Sequence, residues 1–242
     1  MPSQPHEQGP FDDPSVVAAY EDWYSTGFGA LADELERGLL TDLLGDLDPG
    51  ASILEVGCGT GHFGAALGAL GYRAAGIDLA PEMLQRARAR FPVALADGAH
   101  LPFDDGSFDA VVLIAVLDFV DDPLAVLREA LRAARGPVVV LALVSHSFLA
   151  MRRRIAALRG HPIFSRARFY SRRQILAFAR QAMSPGTRLR GSRSGQILVL
   201  PPFLAGCLPG LERRLSGQNL LCGGILGFRM EATSTAQIGH LS

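Results

Sequence analysis

Residues 53–64 read Ile53-Leu54-Glu55-Val56-Gly57-Cys58-Gly59-Thr60-Gly61-His62-Phe63-Gly64, and this stretch decides the fold. An apolar run carrying one acid enters a loop with glycine at alternate positions, and a helix-like segment follows. Glycine lets the chain turn tightly after a strand and lets a ligand approach closer than a Cβ permits. The start of the next helix offers unpaired N–H groups. The pattern predicts a strand, a loop that binds a nucleotide-like cofactor, and a helix.

Working outward, Gly76-Ile77-Asp78-Leu79 ends a second apolar run, with Asp78 placed 21 residues after Gly57. In a βαβ unit an acid at this place accepts hydrogen bonds from ribose hydroxyls. Ala96-Asp97-Gly98 follows a third short run. Leu101-Pro102-Phe103, then Ser107-Phe108-Asp109, leads into the strand-like run Ala110–Val116.

In this order, the four motifs resemble those of class I S-adenosylmethionine-dependent methyltransferases, nearest to the small-molecule type related to the quinone-biosynthesis enzymes. The likeness runs from roughly Tyr20 to Ser171 and more weakly to about Met230. It implies a Rossmann-like, doubly wound α/β sheet of seven strands, mostly parallel with an antiparallel last strand and helices on both faces. It also implies S-adenosylmethionine as cofactor and in-line transfer of its methyl to a small-molecule acceptor. By the same resemblance, Gly57, Cys58, Gly59 and Gly61 pass beneath the methionine portion, and Glu55 organises that loop or meets the ammonium. Asp78 takes the ribose hydroxyls and Leu79 packs on the adenine. Asp97 accepts from the adenine amino group, with Gly98 and Ala99 beside the ring. Ile114 and Ala115 face the methionine end, and Tyr20, Trp23 and Tyr24 close the site as a lid. His100 stands where relatives often carry an acid.

Catalytic groups are less marked, because a sulfonium-bound methyl needs positioning more than activation. Strand ends face the ligand in open α/β folds. Asp118, after strand four, and His146, after strand five, are therefore the candidates, with solvated loop groups as the plain alternative. His161, beside Pro162, is expected to line the acceptor pocket. A nicotinamide-dependent oxidoreductase is the competing class, since Gly59-Thr60-Gly61-His62-Phe63-Gly64 also reads G-x-G-x-x-G. On that reading Asp78 comes only 14 residues after Gly64, and Glu55, Gly57 and Asp97 have no task. A third reading is a cofactor-binding protein without turnover.

Composition sets further bounds. A 242-residue chain, 48% hydrophobic, suits one α/β domain with a cap. No apolar stretch approaches the ~20 residues that span a bilayer, and 1–10 does not read as a signal peptide. Cys58, Cys207 and Cys222 form no C-x-x-C pair, so a reduced, cytoplasmic protein without a metal site is expected. Residues 1–150 hold 22 acids and 8 arginines, residues 151–242 hold 2 acids and 15 arginines, and lysine is absent. Either the two halves neutralise each other, or Arg152, Arg153, Arg154, Arg159, Arg166 and Arg168 attract an acidic substrate or an anionic membrane surface. Nucleic acid is not expected, and the protein should be a monomer or homodimer. The acceptor should be apolar or amphipathic and acidic.

The expected organisation is a disordered 1–13, one methyltransferase domain over 14–232, and a tail over 233–242. Within the domain, 14–50 forms a helical lid, 145–170 a basic insertion and 201–217 a second insertion. Strands are expected at Ser52–Val56, Arg73–Ile77, Val93–Ala96, Ala110–Val116 and Pro137–Leu143. Further strands fall near Thr187–Leu200 and Gly224–Met230. Helices are expected near Gly61–Leu70, from Pro81 to about Arg90, from Asp122-Pro123 through Leu131, near Phe148–Leu158, and after an N-cap at Ser171.

Overall fold

The computed structural model describes residues 9–183, 188–189, 194–198, 200–216 and 223–233. Strands β1 (Ser52–Val56), β2 (Arg73–Asp78), β3 (Val93–Leu95), β4 (Ala110–Ile114) and β5 (Val138–Leu143) alternate with helices α3 (His62–Ala69), α4 (Pro81–Ala87) and α5 (Pro123–Ala133). Before β1 stand α1 (Pro14–Tyr24) and α2 (Gly27–Leu44). After β5 come α6 (Phe148–Leu158), α7 (Arg172–Ala182), β6 (Arg188–Leu189), β7 (Ser194–Ile197), α8 (Pro202–Cys207), α9 (Pro209–Leu215), β8 (Ile225–Met230) and β9 (Ala232–Thr233).

The main sheet has seven strands in the order β3-β2-β1-β4-β5-β8-β7. The first five pair in parallel, and β8 is antiparallel to both β5 and β7. The expected seven strands and antiparallel last strand are therefore present. The order reverses between β1 and β4, and ligands in open α/β sheets bind at the carboxyl ends on either side of such a switch point.

β4 and β5 are apolar at every position because both faces of the sheet are covered. On one face Leu54, Val111 and Val140 pack with Val126, Leu127 and Ala130 of α5 and Ile175 and Ala179 of α7. On the other, Ile53, Val112 and Leu141 meet Leu39, Leu40 and Leu43 of α2 and Phe63 and Leu67 of α3. Helix starts follow local chemistry. Asp122 accepts from Leu124 and Ala125 amides ahead of α5, and Ser171 with Gln174 forms a reciprocal capping box at α7. Ala80 makes no such bond at α4, where Pro81 supplies the first-turn geometry instead.

Three boundaries differ from expectation. Pro10–Asp12, expected within a disordered segment, is a 3-10 turn; Phe11 packs with Val17 and Met83 and meets Phe119 edge-on at 5.2 Å. Strand β4 stops at Ile114, not Val116, because Ala115 adopts φ 54°. Thr233, expected in the tail, pairs with Arg188 through β9 and β6. Residues 1–8 and 234–242 of the two expected termini lie outside the described residues, as does Cys222.

Candidate active site

The glycine loop leaves β1 at the switch point. Gly57, Gly59 and Gly61 all have positive φ (69°, 53° and 82°), a backbone region costly to any residue with a Cβ. A Cβ on Gly57 would also lie 2.5 Å from Val116 Cγ2, across the gap to β4. One on Gly59 would meet nothing within 4 Å, so that face of the loop is open to a ligand. Cys58 is buried against Leu84 and Ala87 of α4, and burial pushes its thiol far up. It is a small packing residue with no thiolate character.

Asp78 ties the loop to β2. Its Oδ2 accepts from Gly59 N at 2.7 Å and its Oδ1 from Ala80 N at 2.9 Å. Each carboxylate oxygen keeps lone-pair capacity for a further donor. Burial raises its pKa, and the amides of Ala80 and Gly59 oppose that rise. Leu79 beside it is 39% exposed, an apolar side chain left open to solvent. Asp97 Oδ1 caps the next turn through Ala99 N at 2.9 Å, and a Cβ on Gly98 would strike Val56 Cγ1 at 2.8 Å. These groups follow β1, β2 and β3, along one carboxyl edge of the sheet.

Beneath the loop and across to β5 lies a cavity of about 390 Å³, lined mainly by apolar side chains and by Glu36, Glu55 and Arg153. Glu55 is 2% exposed, and its Oε2 is buried with no hydrogen-bond partner. Burial lifts its pKa to about 8, the Gly64 amide opposing and Asp78 adding to the rise. A buried carboxylate oxygen without a partner is costly, and it marks the place where a cation would be welcomed.

Helix α1 roofs this cavity. Tyr20, Trp23 and Tyr24 line it. The Tyr20 and Tyr24 hydroxyls are 2.9 Å apart, and Tyr24 stacks on His62 at 3.9 Å. Arg90 pairs with Glu21 of α1 while donating to Thr60 O at 3.1 Å. The roof is thereby fastened to the glycine loop. Ala115 also lines the cavity. Its left-handed φ, held by a 2.7 Å bond to Leu141 O, is the kind of local strain that clusters at functional sites.

The two catalytic candidates are not among the lining residues. Asp118 is fully buried; it accepts from Leu143 N at 3.2 Å, and burial lifts its pKa to about 7. His146 is exposed and bonds Ser145 Oγ at 2.7 Å. His161 does line the cavity. Its Nδ1 accepts from Ile163 N at 3.3 Å, which puts the ring proton of the neutral form on Nε2 and makes that nitrogen a donor. Sequence reasoning missed Glu36, which lines the cavity from α2. The signal was an acid within the apolar stripe Ala32, Leu39, Leu40 and Leu43.

Comparison with known proteins agrees with this geometry. Residues 54–140 match a family model described as a methyltransferase domain. A ubiquinone biosynthesis O-methyltransferase of Xanthomonas campestris is 37% identical over 91 residues, 33% of this chain and 37% of that protein. An uncharacterized protein of Mycobacterium tuberculosis is 34% identical over 167 residues, 66% of this chain and 55% of that one. The chain thus spans between about a third and just over half of the relatives' length. Among solved structures, an S-adenosylmethionine-dependent methyltransferase of Thermotoga maritima superposes with a TM-score of 0.69 at 24% identity, over 90% of this chain and 96% of that one. Magnesium protoporphyrin IX methyltransferase of Synechocystis, solved with S-adenosylhomocysteine bound, superposes with a TM-score of 0.63 at 13% identity, over 93% and 96%.

Proposed function

We propose that this chain, whose residues 54–140 match a methyltransferase-domain model and whose sheet has the order described above, is an S-adenosylmethionine-dependent methyltransferase acting on a small-molecule acceptor. The observation that carries the reading is the buried, unpartnered Oε2 of Glu55 beneath a glycine loop whose Gly59 face is open. A carboxylate there suits an ammonium, and the open loop suits a close-lying thioether chain. Asp78, with one oxygen on the Gly59 amide and the other on the Ala80 amide, keeps acceptor capacity that suits a pair of ribose hydroxyls, and exposed Leu79 suits an adenine face. Asp97, Gly98 and Ala99 complete the adenine side.

When bound, S-adenosylmethionine supplies an electrophilic methyl on a sulfonium, an already activated leaving group. The protein's work is then to orient, enclose and exclude water. Holding an acceptor at near-attack distance can contribute on the order of 7–11 kcal/mol. The Tyr20–Tyr24 roof and the 161–164 segment supply the enclosure, and His161 Nε2 can donate to an acceptor oxygen. Asp118 and His146 are assigned supporting places, Asp118 beneath the end of β5 and His146 on the surface.

No helix among the described residues is long and apolar enough to cross a membrane. The outer face of α6 nevertheless supports peripheral contact with an anionic surface. Phe148, Met151, Ile155 and Leu158 are 44–89% exposed beside Arg152, Arg154 and Arg159, with no acid in the helix.

The test is methyl transfer. Purified protein given S-adenosylmethionine and pooled small-molecule extract should release S-adenosylhomocysteine above the extract-free rate. No release, from protein that binds the cofactor, would favour the reading without turnover.

A further inference from the structure

Arg153 enters the cavity from α6 in an unusual state. Its Nη1 is shielded from solvent and has no hydrogen-bond partner, and its guanidinium rests over the Phe164 ring at 5.7 Å. Two buried acids stand near enough to act on it electrostatically, Glu36 and Asp118, with Arg152 opposing. Neither acid makes an ion pair with it among the described residues. Glu36, 8% exposed, lines the same cavity and has no hydrogen bond to its carboxyl among the described residues. A donor and a carboxyl therefore line one space.

The charge states follow from burial. It lowers the Arg153 pKa only to about 10, so the guanidinium is cationic at neutral pH. It raises Glu36 to about 8, so that carboxyl is mostly protonated and can donate. A shielded cation without a counter-ion is costly; Glu36 is mostly neutral at pH 7 and Asp118, raised to about 7, offsets the charge only in part.

Resting on the reading of this cavity as the acceptor site, we infer that Arg153 and Glu36 form a carboxylate-binding site for a carboxylic-acid-bearing acceptor. The guanidinium offers paired donors to the carboxylate, Glu36 shares its proton with it, and Trp23, Ile163 and Phe164 cover the apolar body. One guanidinium flanked by two acids balances one negative charge, which favours a carboxylate over a doubly charged phosphate.

Trp23 is the single tryptophan of the chain and lines the cavity, so its fluorescence reports entry. Benzoate, benzamide and phenyl phosphate are titrated into protein saturated with S-adenosylhomocysteine, in wild type, Arg153→Gln, Arg153→Lys and Glu36→Gln. Benzoate should bind at least tenfold more tightly than benzamide or phenyl phosphate. Arg153→Gln should abolish that preference, while Arg153→Lys and Glu36→Gln, which keep a donor, should retain part of it. Equal binding of benzoate and benzamide, saturable binding of neither, or a preference that survives Arg153→Gln would overturn the inference. Tighter phenyl phosphate binding would overturn the choice of a carboxylate. Failure of wild type to bind S-adenosylhomocysteine would instead count against the methyltransferase reading itself.

Discussion

Cofactor capture should expel a proton, and Glu55 fixes how much. In the free protein its pKa stands at about 8 because the carboxyl is buried with one oxygen unpartnered. At pH 7 a group with that pKa is protonated in roughly nine molecules of ten. A cofactor ammonium against it favours the ionised form, so binding at pH 7 should release about 0.9 proton per site. Between pH 6 and pH 7 the ionised fraction rises about tenfold, and the affinity should rise by nearly that factor. Calorimetric titration with S-adenosylhomocysteine, repeated in buffers of different ionisation enthalpy, reads the proton count from the slope of apparent heat against buffer enthalpy. Glu55→Gln should bind more weakly, with a slope near zero and little dependence on pH. Tight binding to wild type at pH 7 with no proton released would refute the assignment of Glu55 to the ammonium.

Asp78→Ala removes the acceptor proposed for the ribose hydroxyls and should weaken S-adenosylhomocysteine binding by roughly 1.5–3 kcal/mol, read by the same titration; unchanged affinity would rule the role out. Gly57→Ala puts a side chain at φ 69° and 2.5 Å from Val116, so thermal unfolding should show a loss of about 1–3 kcal/mol with cofactor binding impaired. Glu36 and Glu55, both raised from 4.5 to about 8 by burial, hold protons in the native state that the unfolded chain gives up. Their contribution to stability is fully present below pH 4.5 and is lost as pH rises through about 8. Urea midpoints should show a steeper fall from pH 5 to pH 8 in wild type than in Glu36→Gln, and parallel curves would contradict this. Sedimentation with vesicles containing anionic lipid should carry the protein down at low salt, and Ile155→Glu with Leu158→Glu should leave it in solution; equal sedimentation of both would dismiss α6 as the contact.

Much of this was legible in the sequence because each signal had a local cause. The run Ile53–Val56 followed by alternate glycines can only be a buried strand entering a turn of positive φ, and Ser171 with Gln174 announces a helix start by its own hydrogen bonds. The end of β4 was not legible: Ala115 carries no sign of the left-handed backbone that the surrounding sheet imposes. Asp118 and His146 were placed correctly along the chain, after β4 and β5. Sequence order, however, does not tell which way a side chain turns, and neither reaches the cavity lining. Glu36 was overlooked although it stands as an acid within the apolar stripe of α2; only the fold brings it to the same cavity as Arg153 of α6. Arg153 was one of six arginines by charge alone; packing over Phe164 separates it from Arg168, which pairs with Asp121 at 2.7 Å.

The most direct measurement is calorimetric titration of the purified protein with S-adenosylmethionine and S-adenosylhomocysteine, with a reduced nicotinamide dinucleotide as the control. A methyltransferase should show saturable, one-to-one binding of the first two and none of the third. Binding of the nicotinamide dinucleotide alone, or of none of the three by folded protein, would contradict that assignment.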